Sequence, residues 1–387
     1  MQTIKRKKNM NKNIKPGYKK TPVGIIPEDW EVKRFEELAE RNSERFDPTS
    51  GISKMDLELD SFEQGTGRII NIYDSRDYKS SKNVFEKGDV LFGKLRPYLN
   101  KYWKATFDGV CSSEIWVFRN KKSISSNYLY LILQTKYFIS KSHITSGTKM
   151  PRAEWSSIKN AKLPIPPLQE QKSIANCLST WDSGIEKLTQ LIQAKKQQKK
   201  GLIQQLLIGK KRLTGFEGEW EKVELGDLFE IGNGKDYKHL GKGNIPVFGT
   251  GGLMTFVDDF LYDGESVGIG RKGTIDKPQF LSDKFWTVDT LFYTHSFKNT
   301  FPRFVYYLFL TINWLKYNEA SGVPSLAQKT IKKIKVGIPS LKEQTAIANI
   351  LQMADKEIEL LEQKLSSFQQ QKKGLMQVLL TGKKRLL

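Results

Sequence analysis

IPPLQEQKSIANCLSTWDSGIEKL (Ile165–Leu188) and QQKKGLIQQLLIGKKRL (Gln197–Leu213) return later in the chain. The second copy reads IPSLKEQTAIANILQMADKEIELL (Ile338–Leu361) and QQKKGLMQVLLTGKKRL (Gln370–Leu386). Aligned without a gap from Ile165 and Ile338, about 28 of 49 positions agree, so the chain carries an internal repeat. Each copy opens at a proline and closes on a glycine, Gly209 or Gly382, which mark a helix start and a C-cap. The span between them predicts a helix of roughly 40 residues and ~60 Å.

The apolar period says how such a helix packs. Ile174, Leu178, Trp181, Ile185, Leu188 and Ile192 step by four and three, and the register returns at Leu202 and Leu206. The second copy shows the same with Ile347, Leu351, Ala354, Ile358, Leu361, Leu365, Phe368, Leu375 and Leu379. A seam sustained over several heptads predicts a coiled coil, with Lys199 and Lys372 as polar breaks that set its register. The first helix ends where a second domain begins, and the second helix starts where that domain ends. If the two pair, they must be antiparallel, a rod with a domain at each end and an approximate two-fold axis across its middle. The expected fold class is therefore mixed α/β (α+β): two domains separated by two long antiparallel coiled-coil helices, with a pseudo-two-fold internal repeat.

The remaining sequence divides around those helices. Residues 1–21 hold eight lysines and arginines and no acid, and predict a disordered basic arm. The first domain is expected over 22–164, the first helix over 165–213, the second domain over 214–337 and the second helix over 338–387. In the first domain Trp30, Phe35 and Leu38 anchor the opening turn. Arg68–Tyr73, Asp89–Phe92 and Ile115–Phe118 predict strands, and Asn127–Ser140 a helix. The second domain repeats the plan: strands over Gly264–Gly270 and Phe285–Tyr293, and a helix over Phe304–Tyr317. The two openings match, as do the exits SGTKMPRAEW and SGVPSLAQKT, whereas the middles scarcely align. That pattern fits two readers of different ligands built on one scaffold.

At 387 residues the chain has room for two or three cores. A net charge of +21 points to a polyanionic partner, nucleic acid before an anionic membrane. No apolar run is long enough to span a bilayer and no signal peptide is visible, so a cytoplasmic location without membrane attachment is expected. Cys111 and Cys177 alone provide neither a disulfide framework nor a cysteine zinc site. His143, His239 and His295 do not sit at metal-ligand spacing. Gly268–Gly273 matches GxGxxG, but Pro278 stands where a crossover helix should grow, so it reads as a glycine-rich turn displaying Arg271 and Lys272. GxxxxGK[ST] is absent, and so is the Asn/Asp-Pro-Pro-Tyr segment of adenine methyltransferases. Glu31-Val-Lys33 lacks the upstream acid that a metal nuclease needs. No catalytic residue is nominated.

What remains is DNA contact. GKLRPYLNKYWK places Lys94, Arg96, Lys101 and Lys104 among aromatics in the first domain, and GRKGTIDK supplies Arg271, Lys272 and Lys277 in the second. Arginine can read guanine bidentately, while lysine mostly grips phosphate. A solvated basic face is the plainer alternative.

With these residues in view, the sequence resembles the specificity (S) subunit of type I restriction–modification enzymes. The resemblance covers everything after the basic arm. It rests on the two IPxLxEQ…IAN…QQKKGLxQxLLxGKKRL stretches, GDVLFGKLRPYLNKYWKATFDGVCSSEIWVF and GRKGTIDKPQFLSDKFWTVDTLFYT. It implies that the two domains are target-recognition domains, each reading one half of a bipartite double-stranded DNA target across an unspecified spacer. It also implies two modification (methyltransferase) subunits and two ATP-driven restriction subunits as partners. S-adenosylmethionine, ATP and Mg would then sit on those partners, and no cofactor on this chain. Glu170-Gln171 and Glu343-Gln344, polar pairs beside the seam, are expected to help seat the modification subunits, with helix capping as the alternative. A stand-alone nuclease or methyltransferase with an unreadable site, and an RNA-binding adaptor, stay open as rivals.

Overall fold

A computed structural model describes residues 14–146 and 150–386. The chain forms two compact units, one built from the residues up to Lys187 together with Ser366–Leu387, the other from Leu188–Leu365. Each long helix therefore gives part of its length to each unit.

The first unit opens with a hairpin of β1 (Tyr18–Thr21) and β2 (Gly24–Pro27). The basic arm expected over 1–21 thus ends early: Tyr18–Thr21 gains a full set of cross-strand partners, while residues 1–13 lie outside the described residues. β3 (Glu31–Arg34) leads to a short helical turn, Phe35–Leu38, and then to β4 (Ala39–Asn42) and β5 (Arg45–Phe46). β6 (Met55–Leu57), β7 (Tyr73–Asp74), β8 (Lys82–Phe85), β9 (Val90–Gly93), β10 (Tyr102–Lys104), β11 (Gly109–Cys111) and β12 (Ile115–Asn120) follow. They form a four-stranded sheet, β10-β9-β12-β4, and a five-stranded one, β5-β8-β11-β6-β7.

The continuous apolar runs of β9 and β12 have a physical cause. Successive side chains point to opposite faces of a strand. Val90, Phe92, Trp116 and Phe118 face a core shared with Phe35, Leu129, Phe138 and Ile174. Leu91, Ile115 and Val117 face a second core with Leu57, Phe85 and Trp103. With both faces covered, no polar alternation is possible. β13 (Thr145–Ser146) and β14 (Arg152–Ala153) pair, and β15 (Lys162–Ile165) returns to pair with β3 beside the helix start.

The second unit repeats the main sheet. β16 (Glu221–Glu224) opens it and β17 (Glu230–Gly232) follows, then β18 (Ile245–Gly249), β19 (Gly252–Val257) and β20 (Tyr262–Asp263). β21 (Ser266–Gly270), β22 (Gln279–Leu281), β23 (Lys284–Thr287) and β24 (Leu291–His295) complete two four-stranded sheets, β17-β24-β21-β22 and β19-β18-β23-β20. β25 (Lys335–Ile338) closes the domain against β16.

The long helices span Leu168–Leu206 and Leu341–Leu379, 39 residues each. In the first unit Ile174 and Leu178 pack with Leu379 and Leu380, and Trp181 meets Phe368 edge-on at 5.4 Å. In the second, Leu206 and Leu207 share a core with Ile347 and Leu351, and Lys195 pairs with Glu357 at 2.7 Å. In both, one helix ascends as the other descends. The polar breaks find acids on the facing helix: Lys372 donates to Asp182 at 2.5 Å, and Lys199 to Asp355, which also accepts from Tyr307 Oη at 2.7 Å.

Four expected elements differ. The helix expected over Asn127–Ser140 is two, Ser126–Leu133 and Lys136–Ser142, because the Thr135 side chain caps Phe138 N–H and restarts it. The helix expected over Phe304–Tyr317 runs only from Pro302 to Phe309, with a 3₁₀ turn at Trp314–Tyr317. The strand expected over Phe285–Tyr293 is two strands in different sheets. Of Arg68–Tyr73 only Tyr73 is in a strand, while Ile69 makes an isolated bridge to Phe62.

Candidate nucleic-acid interface

The basic loop of the first domain begins as β9 ends. Lys94 N–H donates to the Glu114 carbonyl at 2.9 Å, Arg96 N–H to the Pro151 carbonyl at 2.8 Å, and Ala153 N–H to the Lys94 carbonyl at 2.9 Å. In the second domain Arg271 N–H donates to the Thr290 carbonyl at 2.7 Å, Gly273 N–H to the Pro324 carbonyl at 2.8 Å, and Leu326 N–H to the Arg271 carbonyl at 2.9 Å. The bridges Leu95↔Arg152 and Lys272↔Ser325 complete the match. The two loops are thus one backbone design, clamped between the last strand of the main sheet and the exit loop of its domain.

That design fixes which side chains are displayed. Lys94 matches Arg271, Leu95 matches Lys272, and Arg96 matches Gly273. The last position is left-handed in both, φ 51° at Arg96 and 96° at Gly273. Glycine takes this conformation freely, whereas an arginine there is held by its surroundings. Arg96, Lys272 and Lys277 are exposed, and none of them makes a side-chain hydrogen bond or ion pair among the described residues. Arg271, also exposed, donates from Nη1 to the Asp289 carbonyl at 3.3 Å and lies 6.0 Å from the Phe292 ring centre.

Two expected contacts turn inward instead. Lys101 Nζ donates to the Leu59 carbonyl at 2.6 Å, and burial pushes its pKa below the ordinary lysine value. Lys104, half-buried, donates to Asn127 Oδ1. Both hold the loop's return strand to its domain. Of the neighbouring aromatics, Tyr102 and Trp103 are buried and only Tyr98 is exposed.

Sequence reasoning missed Arg152. Its guanidinium spans the Glu114 carboxylate, Nε to Oε2 at 3.0 Å and Nη2 to Oε1 at 3.1 Å, beside the backbone clamp of Arg96. That pairing raises its pKa above the usual guanidinium value. The available signal was an arginine directly after Pro151 in an exit loop where the second domain has Ser325 after Pro324.

The Glu-Gln pairs are corrected by their burial: Glu170 is 3%, Gln171 0%, Glu343 1% and Gln344 0% exposed. Gln171 accepts from Ser125 N–H at 2.9 Å and donates to the Ser123 and Pro166 carbonyls, both at 3.0 Å. Gln344 accepts from Thr300 Oγ1 at 2.8 Å and donates to the Asn299 and Pro339 carbonyls at 3.0 Å. Glu170 accepts from Trp30 Nε1 at 2.9 Å and from Arg385 Nη2 at 2.7 Å; Glu343 accepts from Arg212 Nη2 at 2.6 Å. Saturated inside the fold, these side chains fasten the helix starts and offer no surface to another subunit.

Among the described residues no group of three or more His, Cys, Asp or Glu could hold a metal ion, and no helix is long and apolar enough to cross a membrane. The family described as Type I restriction modification DNA specificity domain matches residues 27–196 and 217–370. The chain is 24% identical over 421 residues to the type I restriction enzyme MjaVIII specificity subunit of Methanocaldococcus jannaschii, covering 93% of this chain and 94% of the relative. It is 28% identical over 166 residues to the EcoDI specificity subunit of Escherichia coli, covering 42% of this chain and 37% of that protein. Its fold is similar to the crystal structure of a type I restriction–modification S subunit from M. genitalium, with a TM-score of 0.63, 18% identity, and 96% and 97% of the two chains covered. Two copies of one domain plan, each followed by a repeated helix and each matched by that family, make this chain a member of the type I restriction–modification DNA specificity family.

Proposed function

We propose that this chain is the sequence-reading subunit of a type I restriction–modification complex and carries no chemistry of its own. Each domain reads one half of a bipartite double-stranded DNA target, with an unread spacer between the halves. Two modification subunits bring S-adenosylmethionine and methylate adenine; two restriction subunits bring ATP and Mg, all in the cytoplasm. The observation that carries this reading is the shared loop: one backbone clamp, built twice, presents Lys94 and Arg96 in one domain and Arg271 and Lys272 in the other. A constant frame with different side chains is what two readers of different sequences require, since phosphate contacts position a protein and base contacts specify its site.

The test is the methylated motif, read by methylation-aware sequencing of a host carrying this chain with its modification subunit. Arg96→Ala and Arg271→Ala should each cost ~1–3 kcal/mol and relax one half-site, a different half for each. Equal losses at both halves would reduce both residues to phosphate grips.

A further inference from the structure

The hairpin β18–β19 runs alongside the basic loop of the second domain. A Cβ placed on Gly273 would lie 3.6 Å from Thr250 Oγ1 in the hairpin turn, and Gln279 Nε2 donates to the Gly249 carbonyl at 2.8 Å. β19 is an edge strand. Its register slips where Val247 faces Thr255 but Phe248 faces Leu253, leaving Met254 as the extra residue of a bulge. A bulge re-aims side chains, and here both Leu253 and Met254 are turned outward, 55% exposed each. Met254 also folds over the turn: its Sδ sits 2.6 Å from where a Cβ on Gly249 would be, so a side chain there would push the thioether aside.

An apolar pair on a bulged edge beside cationic side chains runs against ordinary surface composition and marks a binding surface. From this juxtaposition we propose that Leu253 and Met254 form an apolar wedge that enters the stacked bases of the half-site read by the second domain, while Lys272 holds the flanking backbone. The inference rests on the DNA-reading role proposed above. Duplex DNA is the occupant that fits, because the hairpin turn that carries the wedge lies against the cationic loop, and inserted aliphatic side chains unstack base steps in duplexes held by neighbouring cations. The first domain also exposes an apolar pair on a segment next to its basic loop. Ile70 and Ile72, 59% and 51% exposed, end a segment tied to the basic loop by Gly65 N–H to the Asn100 carbonyl at 3.1 Å.

An apolar wedge releases no counterions, whereas a phosphate-holding cation does. The full chain with its modification subunits, titrated with a duplex bearing the sequenced motif at several salt concentrations, separates the two. For Leu253→Ala combined with Met254→Ala we expect affinity to fall ~10–100-fold with the salt slope unchanged. The fluorescence rise of 2-aminopurine at the opened step should vanish. Met254→Leu should keep both affinity and fluorescence, and unchanged thermal unfolding of each variant shows that the fold is intact. Lys272→Ala should lower the salt slope by about 0.9. If Lys272→Ala does so while the wedge variant binds and fluoresces like wild type, the wedge is wrong and the reading role stands. If neither variant changes binding, the DNA-reading assignment of this loop fails as well. Loss of the modification subunits from the wedge variant, with no 2-aminopurine change in the wild type, would assign the patch to protein docking and overturn the proposal.

Discussion

Glu170 and Glu343 occupy equivalent positions in the repeat but do unequal work. Glu170 joins a buried indole and two guanidinium nitrogens, since Trp30 Nε1 and Arg385 Nε and Nη2 all donate to it. Glu343 has Arg212, while Trp220 Nε1 is buried without a hydrogen-bond partner among the described residues. Removing Glu170 leaves the buried Trp30 Nε1 without its acceptor, which costs ~1–3 kcal/mol, while Arg385 keeps its pair with Asp29 at 2.7 and 2.8 Å. Glu170→Ala should therefore destabilise the first unit by about that amount, and Glu343→Ala should destabilise the second by less. Denaturant unfolding, followed by probes in each unit, measures both. Equal losses would show that the indole bond contributes nothing. The same residues show the limit of reading the sequence. Polar pairs at a helix start look like surface until their partners are known, and Trp30 and Arg385 lie 140 and 215 residues away along the chain. Lys101 deceived in the same way: its charge is visible in sequence, but not the Leu59 carbonyl that turns it inward.

The long helices were the most legible elements, because a seam is a local, periodic signal. Ile174, Leu178, Ile347 and Leu351 are each 0% exposed, as their spacing requires. The helix breaks at Thr135 and after Phe309 were less visible, since capping competes with apolar period over a single turn. The seam lysines define what an insertion must respect. Adding seven residues to both helices, between Lys187 and Leu188 and between Leu365 and Ser366, keeps the heptad and adds ~10 Å to each. We expect the methylated motif to keep both halves while its spacer grows by about one to three base pairs. Two-residue insertions at the same points should abolish activity by shifting Leu202 and Leu206 off the seam. An active seven-residue variant with the original spacer would show that the helices do not set the distance.

At the scale of the molecule, domain limits and chemistry separate cleanly. The repeat announced two domains, and the matched family confirms two, but no sequence pattern showed that the first unit borrows its last 22 residues from the far end of the chain, Ser366–Leu387. Leu379 and Leu380 are 1% and 6% exposed in the same core as Trp30, Ile165 and Ile174. Synthesis therefore reverses the order of completion. The second unit, contiguous over Leu188–Leu365, can finish folding as soon as it leaves the ribosome. The first, though begun earlier, waits with an open apolar face until Ser366–Leu387 has been made. Chains truncated after Leu365, released and briefly exposed to protease should be cut throughout the first unit and spared in the second. Equal protection of both would mean that the N-terminal half closes without its C-terminal residues. A newborn chain is thus guarded or lost by its final helix turns, and a reader truncated there would keep one intact domain and offer the other to chaperones and proteases.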